Sequence, residues 1–255
     1  MKIVKIGGNV IDDPEKLSVV LAEFAELKGQ KILVHGGGKK ASSMLEQMKI
    51  PVKIADGRRI TDSASLEVVQ MVYAGLINKN IVADLQAKKC MAIGLSGADA
   101  GIILAHKRPV VNIDYGFVGD IENIHTDSLI KILKNGFIPV FCALTHDGRG
   151  QILNTNADTI ASALGSALAE TYNVDIVYCF EMNGVLTDIK NPDSVISHIN
   201  KQYYKDLRNG NIISDGMIPK IDNAFSALEK GVKNVFIRNF KNLAQEQSGT
   251  RISQS

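Results

Sequence analysis

Three consecutive glycines, Gly36 to Gly38, follow an apolar strand and precede a predicted helix in the stretch KILVHGGGKKASSML. The N–H groups of such a loop and of the first helical turn have no partner within the helix, and the helix dipole adds positive charge at that end. A strand, a glycine loop and a helix in this order therefore commonly bind an anion. The pattern indicates the charge of a ligand but does not identify the ligand.

Two lysines stand near backbone N–H groups of the same kind, in a glycine turn and in a first helical turn. Lys5 stands two positions before Gly7, which forms a pair with Gly8 at the end of the first predicted strand. Lys220 falls in the first turn of a predicted helix, where the helix dipole disfavours a cation. Bound phosphate would explain both lysines, and two glycine loops at one edge of a parallel sheet favour a polyanionic ligand. Three more polar candidates stand at alternate positions just before another predicted helix: Asn154, Asn156 and Asp158.

Gly36 to Gly38 have three alternative explanations: a dinucleotide site, a P-loop and a purely structural role. A Rossmann dinucleotide site fits Gly36, Gly38 and Ala41, but Asp56 lies in a predicted turn and not at the end of a second strand, where the ribose-binding acid belongs. A P-loop is excluded because Lys40 stands where that motif places the serine or threonine that binds magnesium. A structural role, in which glycine allows close packing of strand and helix, stays open.

Continuous apolar strands alternate with amphipathic helices along most of the chain. This order predicts an α/β protein whose parallel sheet is covered on both faces. Departures from it are a hairpin around Asp56 and Gly57, an interruption near Gly75 in the helical segment 63–88, and short antiparallel strands within residues 106–124. The predicted parallel strands span residues 2–6, 32–35, 90–95, 137–144, 174–180 and 234–238.

The composition excludes several classes of protein. The 255 residues are 45% hydrophobic, and 29 basic against 27 acidic side chains give a net charge of +2. This balance provides no general attraction to nucleic acid or to a membrane surface. The first residues resemble neither a signal peptide nor a membrane span, so we expect a cytoplasmic protein. Cys90, Cys142 and Cys179 lie in apolar runs and are expected to be buried thiols, and no spacing of residues indicates a metal site.

Six motifs in order resemble the amino acid kinase family: KIGGN, VHGGGK, DGRRIT, LNTNAD, NGVLTD and ISDGMIPK. They span nearly the whole chain and are most similar to the family members that phosphorylate N-acylated glutamate. The resemblance implies a three-layer αβα sandwich with an open, mainly parallel central sheet, formed by a single domain 1–255. Within this domain we expect two lobes, residues 1–172 for the acylated amino acid and residues 173–255 for ATP.

The activity that the resemblance implies is transfer of the γ-phosphoryl group of ATP to the side-chain carboxylate of N-acetyl-L-glutamate in arginine biosynthesis. The alternatives are N-succinyl-L-glutamate as the acceptor and a non-catalytic, ligand-binding member of the fold. A carboxylate with a pKa of about 4.3 is already ionised at neutral pH, so the reaction needs positioning and charge stabilisation but no general base. Mg²⁺ is expected to arrive with ATP, held by phosphate oxygens and water.

The resemblance also implies catalytic roles for single residues. Lys5 and Lys220 flank the transferred phosphoryl group and offset the charge that develops on it. Asp158 orients both lysines, and Gly8 offers a backbone N–H group to the phosphoryl group. The alternative for Asp158 is a helix N-cap after Asn156.

Binding residues follow from the same motifs. Arg59 is the expected bidentate partner of the substrate's α-carboxylate, whereas its neighbour Arg58 is expected to be solvated. The other expected substrate-binding residues are Gly37, Gly38, Asn154 and Asn156. The expected nucleotide-binding residues are Lys5, Gly7, Glu181, Met182, Asn183, Gly184, Val185, Leu186, Ile212, Ile213, Ser214 and Lys220.

Two features separate this sequence from other family members. Phe180 and Glu181 stand where the family usually has serine or threonine followed by aspartate, which changes the adenosine side of the expected site. Members that arginine inhibits carry an added N-terminal helix that joins dimers into hexamers. This sequence starts at its first predicted strand, so we expect a homodimer that arginine does not inhibit.

Overall fold

The computed structural model describes residues 1–213 and 217–254, apart from the side chain of Pro219. Ser214, an expected nucleotide-binding residue, and Asp215 lie outside the described residues. The helices and strands in chain order are β1 (Lys2–Ile6), α1 (Gly8–Ile11), α2 (Pro14–Glu26), β2 (Lys31–His35), α3 (Gly38–Gln47), β3 (Ile54–Ala55), β4 (Arg58–Arg59), α4 (Ser63–Gln70), α5 (Asn78–Ala87), β5 (Ala92–Leu95), β6 (Ile103–Lys107), β7 (Gly119–Ile124), α6 (Thr126–Lys134), β8 (Ile138–Cys142), β9 (Leu144–His146), β10 (Ile152–Asn154), α7 (Ala157–Leu168), β11 (Asp175–Phe180), β12 (His198–Ile199), α8 (Lys201–Asn209), α9 (Ile218–Glu229), β13 (Asn234–Asn239) and β14 (Thr250–Ile252).

The chain divides into two compact units. The terminal unit combines Met1–Lys31 with Ala161–Ser255, and the central unit comprises Ile32–Ile160. This division differs from the expected boundary near residue 172, because β1 pairs along its whole length with β11 and so joins the first residues to the C-terminal part of the chain. Which ligand each part binds stays a prediction.

The sheet of the terminal unit has the strand order β12-β14-β13-β11-β1. β1, β11 and β13 run parallel, and β14 is antiparallel to β13. The apolar residues of β1 and β11 are buried on both faces of the sheet, which explains why their sequences do not alternate. On one face α7 approaches so closely that a Cβ at Gly165 would lie 2.6 Å from Ile176 Cδ1.

The central unit contains the parallel strands β2-β8-β5, the sheet β10-β9-β6-β7 and the hairpin β3-β4. The hairpin confirms the turn predicted at Asp56 and Gly57, whose φ angles of 49° and 70° suit a tight turn with two left-handed residues. The antiparallel pair β6 and β7 confirms the strands predicted within residues 106–124, although β6 begins three residues earlier. Parallel pairing in both units confirms the predicted α/β class.

The helical segment that begins at Ser63 is continuous through Gly75. The interruption predicted there is a π-helix, Met71–Ile77, that joins α4 to α5. Its wider turn buries Val72, Tyr73 and Ile77 on one side. Glycine in this segment therefore does not end the helix, because the apolar residues around it are held by packing.

Several short or polar elements were not predicted from the sequence. α8 buries only Tyr204 and Leu207, and most of the other residues in its KQYYKDLRN sequence are polar or charged. Helix α6, the edge strand β12 and its neighbour β14 were also missed. Within residues 1–213 and 217–254, no helix is long and apolar enough to cross a membrane.

Candidate active site

Lys5 lies near the carboxyl end of β1, where the terminal unit carries its first glycine pair. Its side chain is largely buried, with the residue 8% exposed. Gly7 is the N-cap of the short helix α1 and has φ −88°, so this turn does not require glycine for its backbone angles. A Cβ at Gly7 would lie 3.8 Å from Lys5 Nζ, an ordinary contact distance, so this glycine stands directly beside the ammonium group.

Phe180, the last residue of β11, brings the two expected catalytic lysines to one aromatic ring. Lys220 Nζ lies 4.5 Å from the ring centroid, and Lys5 Nζ lies 5.8 Å from it. Both distances are within the range of a cation–π interaction. Lys220 belongs to the first turn of α9, as predicted, so β1, β11 and α9 together form a cluster of two cations around one ring.

Glu181 follows this ring and is bonded to the N-terminal helices. Its Oε2 accepts a hydrogen bond of 2.8 Å from Asn9 Nδ2, and its Oε1 pairs with Lys16 Nζ. Lys16 also lies 3.4 Å from Asp13, and the hydrogen bond to Glu181 raises the pKa of Lys16. The Glu181 side chain thus binds residues of α1 and α2. Its expected contact with the nucleotide stays a prediction.

The terminal unit contains a cavity of about 230 Å³. Five of its lining residues were expected to bind the nucleotide: Met182, Val185, Leu186, Ile212 and Ile213. Gly184, between them, has no room for a side chain, because a Cβ there would lie 2.7 Å from Thr250 Oγ1. The same hydroxyl accepts a hydrogen bond of 2.8 Å from the Val185 N–H group. This packing fixes the loop that forms one wall of the cavity.

The glycine triple of the central unit is restrained chiefly at Gly37. This residue is the N-cap of α3 and has φ 155°, whereas Gly36 and Gly38 have ordinary negative angles. A Cβ at Gly37 would lie 2.4 Å from Ile77 Cδ1 and 3.1 Å from the Tyr73 ring, both on the π-helix. The positive φ angle, which L side chains rarely adopt, together with this close packing favours glycine at this position. The loop N–H groups lead directly into the N-terminus of α3.

A buried histidine supports this loop. His35 is fully buried at the end of β2, with Nδ1 2.8 Å from Gly36 O and Nε2 3.0 Å from Asn78 Nδ2. Because a carbonyl oxygen only accepts, the proton is on Nδ1, and Nε2 accepts from the Asn78 amide. Burial lowers the pKa of His35 to about 4, an effect that the positive charge of Lys79 increases and the bond to Gly36 opposes.

His35→Asn should remove a pH-dependent part of the stability. Between pH 6.5 and about 4 the unfolded chain binds a proton at His35 that the folded chain does not, so the free energy of unfolding falls as the pH falls through this window. The loss between pH 7 and pH 5 should be about 2 kcal/mol. Asparagine retains a donor toward Gly36 but does not titrate. Urea unfolding at both pH values should therefore show a smaller pH dependence for the variant, whereas His125→Asn, at an exposed position, should behave as the wild type. An unchanged pH dependence in His35→Asn would contradict the assignment.

Arg59, at the end of the β3-β4 hairpin, is held against the glycine loop. Its Nη2 donates to Gly38 O at 2.8 Å and to Ser42 Oγ at 2.7 Å. Its Nε and Nη1 atoms are buried and have no hydrogen-bond partner among the described residues. Leaving such donors unpaired costs on the order of 1–3 kcal/mol each, so the arrangement favours an acceptor supplied by a ligand. A carboxylate has the shape and charge for this role.

The polar run 154–158 takes up three different positions. Asn154 ends β10 and donates to Thr61 Oγ1 at 3.0 Å. Asn156 caps α7, because its Oδ1 accepts from the N–H groups of Asp158 at 2.8 Å and Thr159 at 3.1 Å. The N-cap alternative for Asp158 is therefore wrong. Asp158 stands in the first turn of α7, where its charge suits the helix dipole, and a ligand-related role for it stays open.

The partners of these residues could not be found from the sequence. Gly37 packs against Ile77 and Tyr73. Arg59 donates a hydrogen bond to Ser42, and Asn154 donates one to Thr61. Glu181 is bonded to Asn9 and Lys16. Each partner is separated in sequence from the residue that it supports. Of these six partners, only Asn9 and Thr61 lie within the quoted motifs, KIGGN and DGRRIT, and neither motif shows which residue its member would contact. No group of three histidine, cysteine, aspartate or glutamate side chains suited to a metal occurs in the part of the chain that the structure describes.

A family model, two similar sequences and a similar solved structure relate this chain to known proteins. The model of the amino acid kinase family matches residues 1–239. Acetylglutamate kinase of Cytophaga hutchinsonii is 54% identical over 244 residues, which cover 95% of this chain and 92% of that protein. Acetylglutamate kinase of Phocaeicola vulgatus is 48% identical over 252 residues, covering 99% and 98% of the two chains. The crystal structure of smu.665 from Streptococcus mutans UA159 has a TM-score of 0.80 and 26% identity, and covers 100% of this chain and 98% of that one. The chain belongs to the amino acid kinase family.

Proposed function

We propose that this protein transfers the γ-phosphoryl group of ATP to the side-chain carboxylate of N-acetyl-L-glutamate, a step of arginine biosynthesis. Relatives of 54% and 48% identity over nearly the full chain are acetylglutamate kinases. The observation in the structure that best supports a carboxylate-containing substrate is the Arg59 guanidinium, buried beside Gly38 with two nitrogen atoms that lack partners among the described residues.

The proposed roles follow the placement of each group. Lys5 and Lys220 provide the positive charge that stabilises the phosphoryl group during transfer, because charge on its oxygens must be offset in the transition state. Their position around Phe180 supports a shared role. Asp158 and the Gly8 N–H group complete the proposed catalytic set. The cavity next to Val185 is the proposed nucleotide site.

The substrate groups are proposed to lie in the central unit. Arg59 binds the α-carboxylate, and Gly37, Gly38 and Asn154 line the acylglutamate site. Asn156 supports the loop by capping α7. This assignment places the acylglutamate on residues 32–160 and the nucleotide on the terminal unit, which modifies the lobes expected from the sequence.

Mg²⁺ would be bound through the phosphate oxygens of ATP and water rather than through a cage of side chains. Among the described residues, Lys5 and Lys220 supply positive charge that suits the phosphate oxygens of such a complex. When bound, the ion would neutralise charge on the β- and γ-phosphates. Two further proposals are carried over from the sequence: the protein is cytoplasmic, and it forms a homodimer that light scattering would detect.

Trapping of the acyl phosphate tests the proposed reaction. The purified protein is incubated with MgATP and hydroxylamine and, in separate reactions, with N-acetylglutamate, N-succinylglutamate, glutamate or carbamate. We expect hydroxamate and ADP with N-acetylglutamate, and loss of both products in Lys220→Ala. A stronger signal with N-succinylglutamate would change the acyl group but retain the reaction. Absence of product with every acceptor, from protein that still binds ATP, would disprove the proposed function.

A further inference from the structure

The contact of one aromatic ring with two ammonium groups is not explained by filling space alone. Phe180 is fixed by the pairing of β11 with β13, in which it lies opposite Asn239. Lys5 and Lys220 approach the ring from β1 and from α9, at 5.8 Å and 4.5 Å from its centroid. Two lysines that are 215 positions apart in the chain thus share one uncharged partner.

An aromatic ring differs from an acid as a partner for these lysines. The ring attracts a cation through the negative potential of its face but offers no lone pair. An additional carboxylate at this position would accept strong hydrogen bonds and would compete with phosphate oxygens for the ammonium protons. The acid that does occur next in the chain, Glu181, has its two oxygens bonded to Asn9 and Lys16.

We propose that Phe180 is a positioning residue whose ring holds the ammonium groups of Lys5 and Lys220 for phosphoryl transfer. The ring limits the rotamers of both lysines and adds no acceptor that would compete with anionic oxygens for their N–H donors. This inference rests on the proposed kinase activity. It predicts that the negative potential of the ring, and not only its volume, determines how well the lysines act.

A graded change of the ring tests this inference. Phe180 is replaced by 4-fluoro-, 3,5-difluoro- and 3,4,5-trifluorophenylalanine through nonsense suppression, and by tyrosine and leucine through ordinary mutation. Fluorine withdraws negative potential from the ring face with little change of volume. We expect log(kcat/KM) for ATP to fall stepwise with each fluorine, to about 10-fold below wild type for the trifluoro ring and for Phe180→Leu. Phe180→Tyr should stay within about twofold of wild type, because its ring face is retained.

A second ring provides the matched control. Phe240 lies 5.8 Å from Lys241 Nζ, outside the proposed site, and trifluorophenylalanine there should leave kcat/KM unchanged. If every fluorinated variant at position 180 equals the wild type, the ring acts only by its shape and the proposal is overturned, whatever Phe180→Leu does.

Binding of an ATP analogue separates this proposal from the proposed function. Calorimetry with β,γ-imido-ATP measures affinity in the same series without requiring a phosphoryl acceptor. If the wild type phosphorylates none of the acceptors tested, a stepwise loss of affinity with fluorination would still support Phe180 as the partner of the two lysines. Equal affinity across an inactive series would overturn the proposal as well.

Discussion

Lys5→Met should lower kcat for N-acetylglutamate phosphorylation by about 10³-fold, a loss of about 4 kcal/mol of transition-state stabilisation. Lys5 is 8% exposed, near the end of β1 and beside the Phe180 ring, so water screens its charge poorly. Methionine retains the length and apolar stem of the side chain but removes the ammonium group. Because that charge acts chiefly on the phosphoryl group in transfer, KM for ATP should change much less than kcat.

Lys2→Met is the matched control for this variant. Lys2 begins the same strand and pairs at 3.9 Å with Glu246, which is largely exposed, so its loss should leave kcat near the wild-type value. Steady-state kinetics of both variants, with urea unfolding to verify folding, make the comparison. A fully folded Lys5→Met enzyme with more than a tenth of the wild-type kcat would remove Lys5 from the proposed catalytic set.

Arg59→Lys should raise KM for N-acetylglutamate by about 10²-fold, because lysine lacks the planar fork that binds a carboxylate through two parallel hydrogen bonds. The guanidinium is aligned by Gly38 O and Ser42 Oγ, while Nε and Nη1 have no partner among the described residues. A bound carboxylate would satisfy part of this buried set, and each charge-assisted bond contributes about 1.5–3 kcal/mol. Because lysine keeps the positive charge, this variant tests the geometry of the guanidinium group rather than the net charge.

Arg58→Lys is the matched control for Arg59. Arg58 is the adjacent residue on the same short strand, β4, and pairs with Ala55 across the hairpin. We expect its KM values for both substrates to match the wild type within about twofold, as for most surface substitutions. Equal KM values for Arg59→Lys and the wild type would show that the guanidinium does not bind the substrate, and a similar rise in both variants would indicate a disturbed hairpin instead.

Local features of the fold were predictable because they depend on residues that are close in sequence. Asp56 and Gly57 have the two positive φ angles that their type of turn requires, and the hairpin followed directly. Mainly apolar runs without alternation identified β1, β8 and β11, because a strand buried on both faces does not alternate. The helix α8 was missed because only two of its residues are buried and most of the others are polar or charged, so its sequence has few apolar positions.

For the candidate site too, the sequence predicted which residues belong to it but not their contacts. Ordered motifs identified Lys5, Lys220 and Arg59, and they also identified the loop at Gly184 that forms part of the cavity wall. What each residue contacts could not be predicted from the motifs. The prediction that left an N-cap role open for Asp158 failed on a difference of two positions, since the side chain of Asn156 makes those hydrogen bonds.

By itself, the sequence determined an α/β fold, the order of its parallel strands along the chain, and the residue types suited to phosphate and carboxylate. Tertiary structure alone decided that β1 pairs with β11, that Gly37 packs against Ile77, and that Phe180 joins Lys5 to Lys220. The physical reason is the range of each effect. Backbone propensity and burial pattern act over a few residues, whereas a contact between distant positions depends on strand register and side-chain packing, which form only when the chain is folded.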